Sequence, residues 1–235
     1  MLNLNGKIIA ITGAFGNLGL VAAQVLADRG ARIALIGKGT VPPTASLSPQ
    51  LAGACHLGGI DLGQPSMAQQ AIDTIAQRLG GLDALVNIAG GFRWETVTGG
   101  SADTWDLMFE MNVKTALNAS KAAIPHLLAS ASGRIVNISA GAALKATVGM
   151  GAYAASKASV ARLTEALAEE LKDQGVCVNA ILPGTIDTKQ NRADMPDADF
   201  SRWVAPVQIA AVIAFLLSPD AQAITGALIP VTGRG

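Results

Sequence analysis

The sequence predicts an α/β protein built as one doubly wound parallel sheet of about seven strands, with helices on both faces. Three observations carry this expectation. Short apolar runs alternate with longer segments of helical period along all 235 residues. The short runs are almost continuously hydrophobic, as strands covered on both faces are. The first run passes through closely spaced glycines into a helical pattern, the way such a sheet opens.

Taken in order, the first strand is "KIIAIT" (7–12), followed by the turn "TGAFGNLG" (12–19) and the helix "LGLVAAQVLADRG" (18–30). "RIALI" (32–36) is the second strand. The connection "GKGTVPPTASLSPQLAG" (37–53) carries three prolines and little helical period, so it reads as a loop or a short irregular helix. "ACHL" (54–57) is the third strand, and in "SMAQQAIDTIAQRLG" (66–80) Ala68, Ala71, Ile72, Ile75 and Leu79 keep helical spacing. "ALVNI" (84–88) and "RIVNI" (134–138) are the fourth and fifth strands. Val160, Leu163, Leu167 and Leu171 mark a helix before "VCVNAI" (176–181), and Ile209, Val212, Ile213 and Leu216 mark one before "ALIPV" (227–231). No internal repeat or domain boundary interrupts residues 1–235, which therefore form a single domain.

Composition narrows the function classes. Half of the residues are hydrophobic and 14% are charged, which excludes a disordered chain. Seventeen basic residues balance seventeen acidic ones with no basic stripe, against nucleic acid or an anionic membrane as partner. No run of eighteen apolar residues predicts a membrane span, and the N-terminus lacks the pattern of a secretory leader. Cys55 and Cys177 read as free thiols of a reducing compartment, so the expected location is the cytoplasm. His56 and His126 have no metal-ligand spacing, and no metal is expected.

Two stretches carry chemistry. Glycines 13, 16 and 19 permit a tight turn and a close approach of backbone to a pyrophosphate, which the unpaired N–H groups of the following helix would bind. An ordinary strand-to-helix turn is the bland alternative, but a strand before, a helix after and a second strand about twenty residues on favour a dinucleotide site. In "GAYAASK" (151–157), Tyr153 and Lys157 stand four residues apart on one helix face. A nearby ammonium favours phenolate, so Lys157 is expected to lower the pKa of Tyr153 towards working pH.

These motifs in this order resemble the short-chain dehydrogenase/reductase family over essentially the whole chain. "TGAFGNLG" resembles its TGxxxGxG turn, "NIAG" (87–90) its NNAG, and "MNV" (111–113) the stretch carrying its helix asparagine. "YAASK" is its Tyr-x-x-x-Lys, "LPGTIDT" (182–188) resembles its Pro-Gly segment, and "SPDAQAITGALIPVTG" its C-terminal ending. The resemblance implies a Rossmann-type fold and an NAD(P)-dependent oxidoreductase. It assigns Tyr153 as proton donor, Lys157 as its electrostatic and ribose-binding partner, and Asn112 as a supporting residue. The cofactor would meet Gly13, Phe15, Asn17, Leu18 and Gly19 at the turn, then Asp61 and Leu62 at the adenine. Asn87, Ala89 and Gly90 would lie on the ribose side, Pro183 and Gly184 beside the nicotinamide, and Ile186 and Thr188 at its carboxamide. Asp61 reads equally as a helix N-cap. Family members are mostly dimers and tetramers, so a homodimer or homotetramer is expected, built on helices around 103–130 and 153–172.

Gly37 stands where NAD-using members carry aspartate, and Lys38 follows it as a point charge for a 2′-phosphate. NADP is therefore the expected cofactor, with NAD as the alternative. The basic residue that marks NADP users before the second glycine is missing, and Phe15 sits there.

Thirteen residues before Tyr153 the family usually has a serine; this chain has Ala140, with Ser139 one step off. Neighbours on a strand face opposite sides, so Ser139 does not simply substitute. Dihydropteridine reductases are a branch of the family with Tyr-x-x-x-Lys and no such serine. "AGGFRW" (89–94) resembles theirs, as do Asn191, Arg192, Met195, Pro196, Asp199, Phe200 and Trp203. Those reductases favour NADH and have aspartate at the position of Gly37, which is a departure. The expected substrate is small, planar and readily reduced, with a quinonoid dihydropterin as the candidate. Phe92, Trp94, Met150 and Ser139 are the candidate substrate contacts, with plain core packing as the alternative for the aromatic residues. The rival readings are a carbonyl or 3-oxoacyl reductase that recruits Ser139, and a dinucleotide-binding sensor without turnover.

Overall fold

The computed structural model describes residues 3–234. Seven parallel strands form one sheet: β1 (Ile8–Thr12), β2 (Arg32–Ile36), β3 (Cys55–Leu57), β4 (Ala84–Asn87), β5 (Arg134–Ile138), β6 (Cys177–Pro183) and β7 (Leu228–Val231). Their spatial order is β3-β2-β1-β4-β5-β6-β7, so the chain winds outward from β1 in one direction and then in the other. That reversal leaves a crevice at the carboxyl ends of β1 and β4.

The strands read as apolar runs because both faces are covered. Ile9 and Ile11 of β1 pack with α1 (Asn17–Ala27) and α8 (Pro206–Leu216). Ile8 and Ala10 point the other way, towards α3 (Pro65–Leu79), α5 (Thr115–Leu128) and α6 (Gly151–Leu171). Between β2 and β3 the proline-rich segment forms only a single 3₁₀ turn and the four-residue α2 (Pro49–Ala52). β6 runs two residues beyond its expected end. Pro183 is tolerated because β5 stops opposite Ile181, leaving no neighbour on that side to require its N–H.

One feature has no counterpart in the sequence pattern. The helix α4 (Ala102–Phe109) runs into α5 through a π turn, Glu110–Lys114, which carries Asn112. A short helix, α7 (Lys189–Asp194), follows β6. Among the described residues no helix is long and apolar enough to cross a membrane.

Candidate active site

A cleft of about 830 Å³ lies at the carboxyl ends of the strands, reaching from Leu18 and Ile88 to Tyr153, Lys157 and Trp203. Its floor begins at the glycine turn. Gly13 has φ +62°, and a Cβ there would lie 2.7 Å from the Ala89 nitrogen; a Cβ on Gly19 would lie 2.4 Å from the Gly13 carbonyl oxygen. The turn is thus closed to side chains, and Gly16 caps α1 without a side-chain hydrogen bond, leaving its first N–H groups to an anion. This cradle fits the diphosphate of a dinucleotide. Counted by residue, the glycines are three apart, so Asn17 and not Gly16 stands at the middle glycine of TGxxxGxG.

At the adenine end, a Cβ on Gly37 would lie 2.3 Å from the Phe15 ring, so the phenyl group occupies the place of a side chain at 37. Lys38 Nζ pairs with Asp61 Oδ2 at 2.8 Å, and that bond, with the Gly63 N–H, holds the Asp61 carboxyl below its usual range. Asp61 does not cap α3, whose N-cap is Gln64. The Leu62 side chain is buried in the core, and its carbonyl accepts the Asn118 amide.

The Asn87 side chain is turned into the protein. Its amide donates to Ser120 Oγ at 3.0 Å and Asn137 Oδ1 at 2.9 Å inside the protein, while Asn137 donates to Thr164. A buried amide needs such partners, so the Asn87 side chain ties β4 to β5 and α5 and does not meet a ribose. The adjacent backbone of Ile88 and Ala89 donates to Thr12 Oγ1, and Ile88 and Gly90 line the cleft. The Thr188 hydroxyl accepts the Asn191 N–H as the N-cap of α7, and its own proton remains free to donate. Pro183, Gly184, Thr185 and Ile186 line the cleft, and Asn191 holds Ile186 by its carbonyl at 2.7 Å. Thr185, Asn191 and Arg202 were not singled out from sequence as cleft residues.

Tyr153 sits in the first turn of α6, where its hydroxyl has no hydrogen-bond partner among the described residues. Burial pushes the phenol up to about 12 and the Lys157 ammonium down to about 8. This reverses the expected direction for the phenol. Lys157 Nζ lies 6.0 Å from the ring centroid and donates to the Ile138 carbonyl at 3.0 Å, so desolvation outweighs the attraction between the pair.

Asn112 grips Gly91 twice, accepting its N–H at 2.9 Å and donating to its carbonyl at 3.1 Å, and also donates to Ser156 Oγ. A Cβ on Gly90 would lie 2.4 Å from Asn112 Oδ1, which is held by its bonds to Gly91, while one on Gly91 would meet only the mobile tip of Met111. Phe92 follows, edge-on to the Tyr153 ring with centroids 4.9 Å apart. Met150 and Trp203 line the cleft; Trp94 does not, because its indole lies over Gly149 outside the cleft. Ser139 reaches the cleft, but its hydroxyl donates to the Lys157 carbonyl at 2.7 Å. Ala140, extended and buried, presents only a methyl group there.

The family model for short chain dehydrogenase matches residues 7–199. This chain belongs to that family. As a member it is an NAD(P)-dependent oxidoreductase. Among its relatives are a 3-oxoacyl-[acyl-carrier-protein] reductase of Vibrio cholerae, 32% identical over 99% of this chain and 98% of that one. A 2-(S)-hydroxypropyl-CoM dehydrogenase of Xanthobacter autotrophicus is 33% identical over 98% and 96%. A short chain dehydrogenase from Burkholderia cenocepacia, solved in complex with NADP, superposes with TM-score 0.87 at 32% identity over 98% of both chains.

Proposed function

We propose that this oxidoreductase reduces a small, planar, readily reduced substrate, with NADP as the preferred cofactor and a quinonoid dihydropterin as the candidate substrate. One observation carries the reading. The Ser139 hydroxyl is committed to the Lys157 carbonyl, and Ala140 offers a methyl where the family places a hydroxyl. A carbonyl in this cleft has no serine to polarise it, whereas a conjugated C=N substrate needs less help. Phe92, Met150 and Trp203 supply flat apolar walls.

The bound nicotinamide supplies the hydride. The glycine turn would hold the diphosphate and Lys157 the ribose, and Tyr153 would give its proton to the substrate heteroatom. Lys157 as ammonium stabilises the phenolate left behind, and Asn112 fixes the Gly91–Phe92 wall beside it. Lys38, whose pair with Asp61 is exposed enough for a 2′-phosphate to compete for it, supports NADP, as does Phe15, whose ring fills the space of an aspartate at 37. NAD is the alternative. Two unpaired thiols support the cytoplasm, and Trp105 and Phe109, exposed one helical turn apart on α4, support a homodimer or homotetramer.

The relatives above favour a second reading, a 3-oxoacyl or other carbonyl reductase, and the pterin likeness rests on the residues quoted for it. That second enzyme requires Ser139 to leave its carbonyl partner. The test is oxidation of NADPH and NADH by the protein with quinonoid dihydropterin, simple ketones and 3-oxoacyl thioesters, the nonenzymatic pterin rate subtracted. Pterin turnover lost in Tyr153→Phe and kept in Ser139→Ala is the expected result. Ketone or thioester turnover lost in Ser139→Ala establishes the second reading. Cofactor binding with no turnover of any of these, unaffected by Tyr153→Phe, identifies a sensor.

A further inference from the structure

A second cavity, of about 290 Å³, opens at the other end of the sheet, where β5 and β6 begin. Arg134, the first residue of β5, lines it together with Lys172, Cys177, Gln222 and Thr225. Arg134 is only 6% exposed, yet it makes no ion pair among the described residues. Its Nη1 donates to the Gly133 carbonyl at 2.9 Å, and its Nε is the one buried side-chain polar atom among the described residues without a partner. The Asp83 carboxylate accepts the Ile8 N–H and the Ser130 hydroxyl and forms no ion pair with Arg134.

A buried guanidinium without an anion is unfavourable. None of the nine residues lining the cavity is acidic, while two are cationic. Thr225 accepts the Val178 N–H through Oγ1, so its own hydroxyl proton remains available to an acceptor. Lys172 is held by Glu169 at 2.6 Å in an exposed pair that an entering anion can compete for.

We propose that this cavity is a binding site for a small oxyanion, a phosphate or a carboxylate, held by Arg134, Lys172 and the Thr225 hydroxyl. The guanidinium fork suits the two oxygens that either group presents. Four residue steps along β5 separate Arg134 from Ile138 at the cleft, about 13 Å at the rise of a strand, so the site is distinct from the dinucleotide cradle.

Isothermal titration of the full chain with inorganic phosphate, and separately with acetate, tests it. NADPH is kept saturating and ionic strength is matched with chloride. Saturable 1:1 binding is expected, weakened at least tenfold in Arg134→Met and several-fold in Lys172→Gln. Glu169→Gln should tighten it by freeing Lys172. Arg134→Lys, which keeps the charge but loses the fork, should bind several-fold more weakly and covers the case in which the methionine variant does not fold. Phosphate binding alone marks a tetrahedral site, and acetate binding a carboxylate site. Absence of saturable binding of both anions, or binding that Arg134→Lys and Lys172→Gln leave unchanged, overturns the proposal.

Discussion

At the residue scale, burial moves the two titrating groups of the cleft in opposite directions, and the pH dependence follows from that. Tyr153, raised to about 12, is protonated at neutral pH and therefore suited to give a proton. Lys157 loses its charge near 8 and with it the support for the phenolate. The reductive kcat/KM should be level near pH 7 and fall above about pH 8; a profile flat to pH 10 contradicts this role for Lys157. Stability follows the same lysine with its own sign. Its folded pKa lies below the ordinary 10.5, so between about 8 and 10.5 the unfolded chain binds more protons and stability rises with pH. Tyr153 acts oppositely between 10 and about 12. The urea midpoint should thus rise from pH 8 to pH 10, and less so in Lys157→Met. At the adenine end, Gly37→Asp should not by itself convert the enzyme to NADH, because Phe15 fills the space the carboxylate needs. Gly37→Asp with Phe15→Ser should shift the NADH/NADPH ratio of kcat/KM by tenfold or more. A full switch in the single variant shows that Phe15 moves aside freely.

Elements hold these residues in place, and the π turn does so most directly. Asn112 gives one side chain to both polar groups of Gly91. Asn112→Ala leaves a part-buried N–H and C=O without partners, so about 2–3 kcal/mol of stability should be lost in urea unfolding. The substrate KM should rise as Phe92 loosens. Gly19→Ala would drive a Cβ to 2.4 Å from the Gly13 carbonyl, so NADPH affinity in a fluorescence titration should drop at least tenfold. The seven strands were legible in the sequence to within two residues at each end, because an apolar run covered on both faces reads the same in one dimension as in three. The π turn was not: the residues around Asn112 continue a helical pattern, and one extra residue in the backbone ladder leaves no compositional mark. The Thr188 cap, the Asn87 network and the position of Trp94 were missed because each depends on a partner far along the chain or on the path of a loop.

At the scale of the whole molecule, the sheet brings residues from five distant segments to one crevice and leaves apolar side chains on α4 uncovered. Trp105 and Phe109 are each more than 40% exposed, and sedimentation should show a dimer or tetramer at micromolar concentration. Trp105→Glu with Phe109→Glu should shift it towards monomer; a wild-type monomer contradicts the expected assembly. The sequence by itself determined the fold class, the glycine turn, the Tyr153–Lys157 pair and the missing serine, since each depends on local spacing or on the identity of one residue. Only the tertiary structure decided where Ser139 points, that Phe15 fills the space at Gly37, that Lys38 meets Asp61, and that Arg134 lies buried without an anion. Those are matters of distance and desolvation between residues remote in the chain. No periodicity encodes them, because they come into existence only when the strands align.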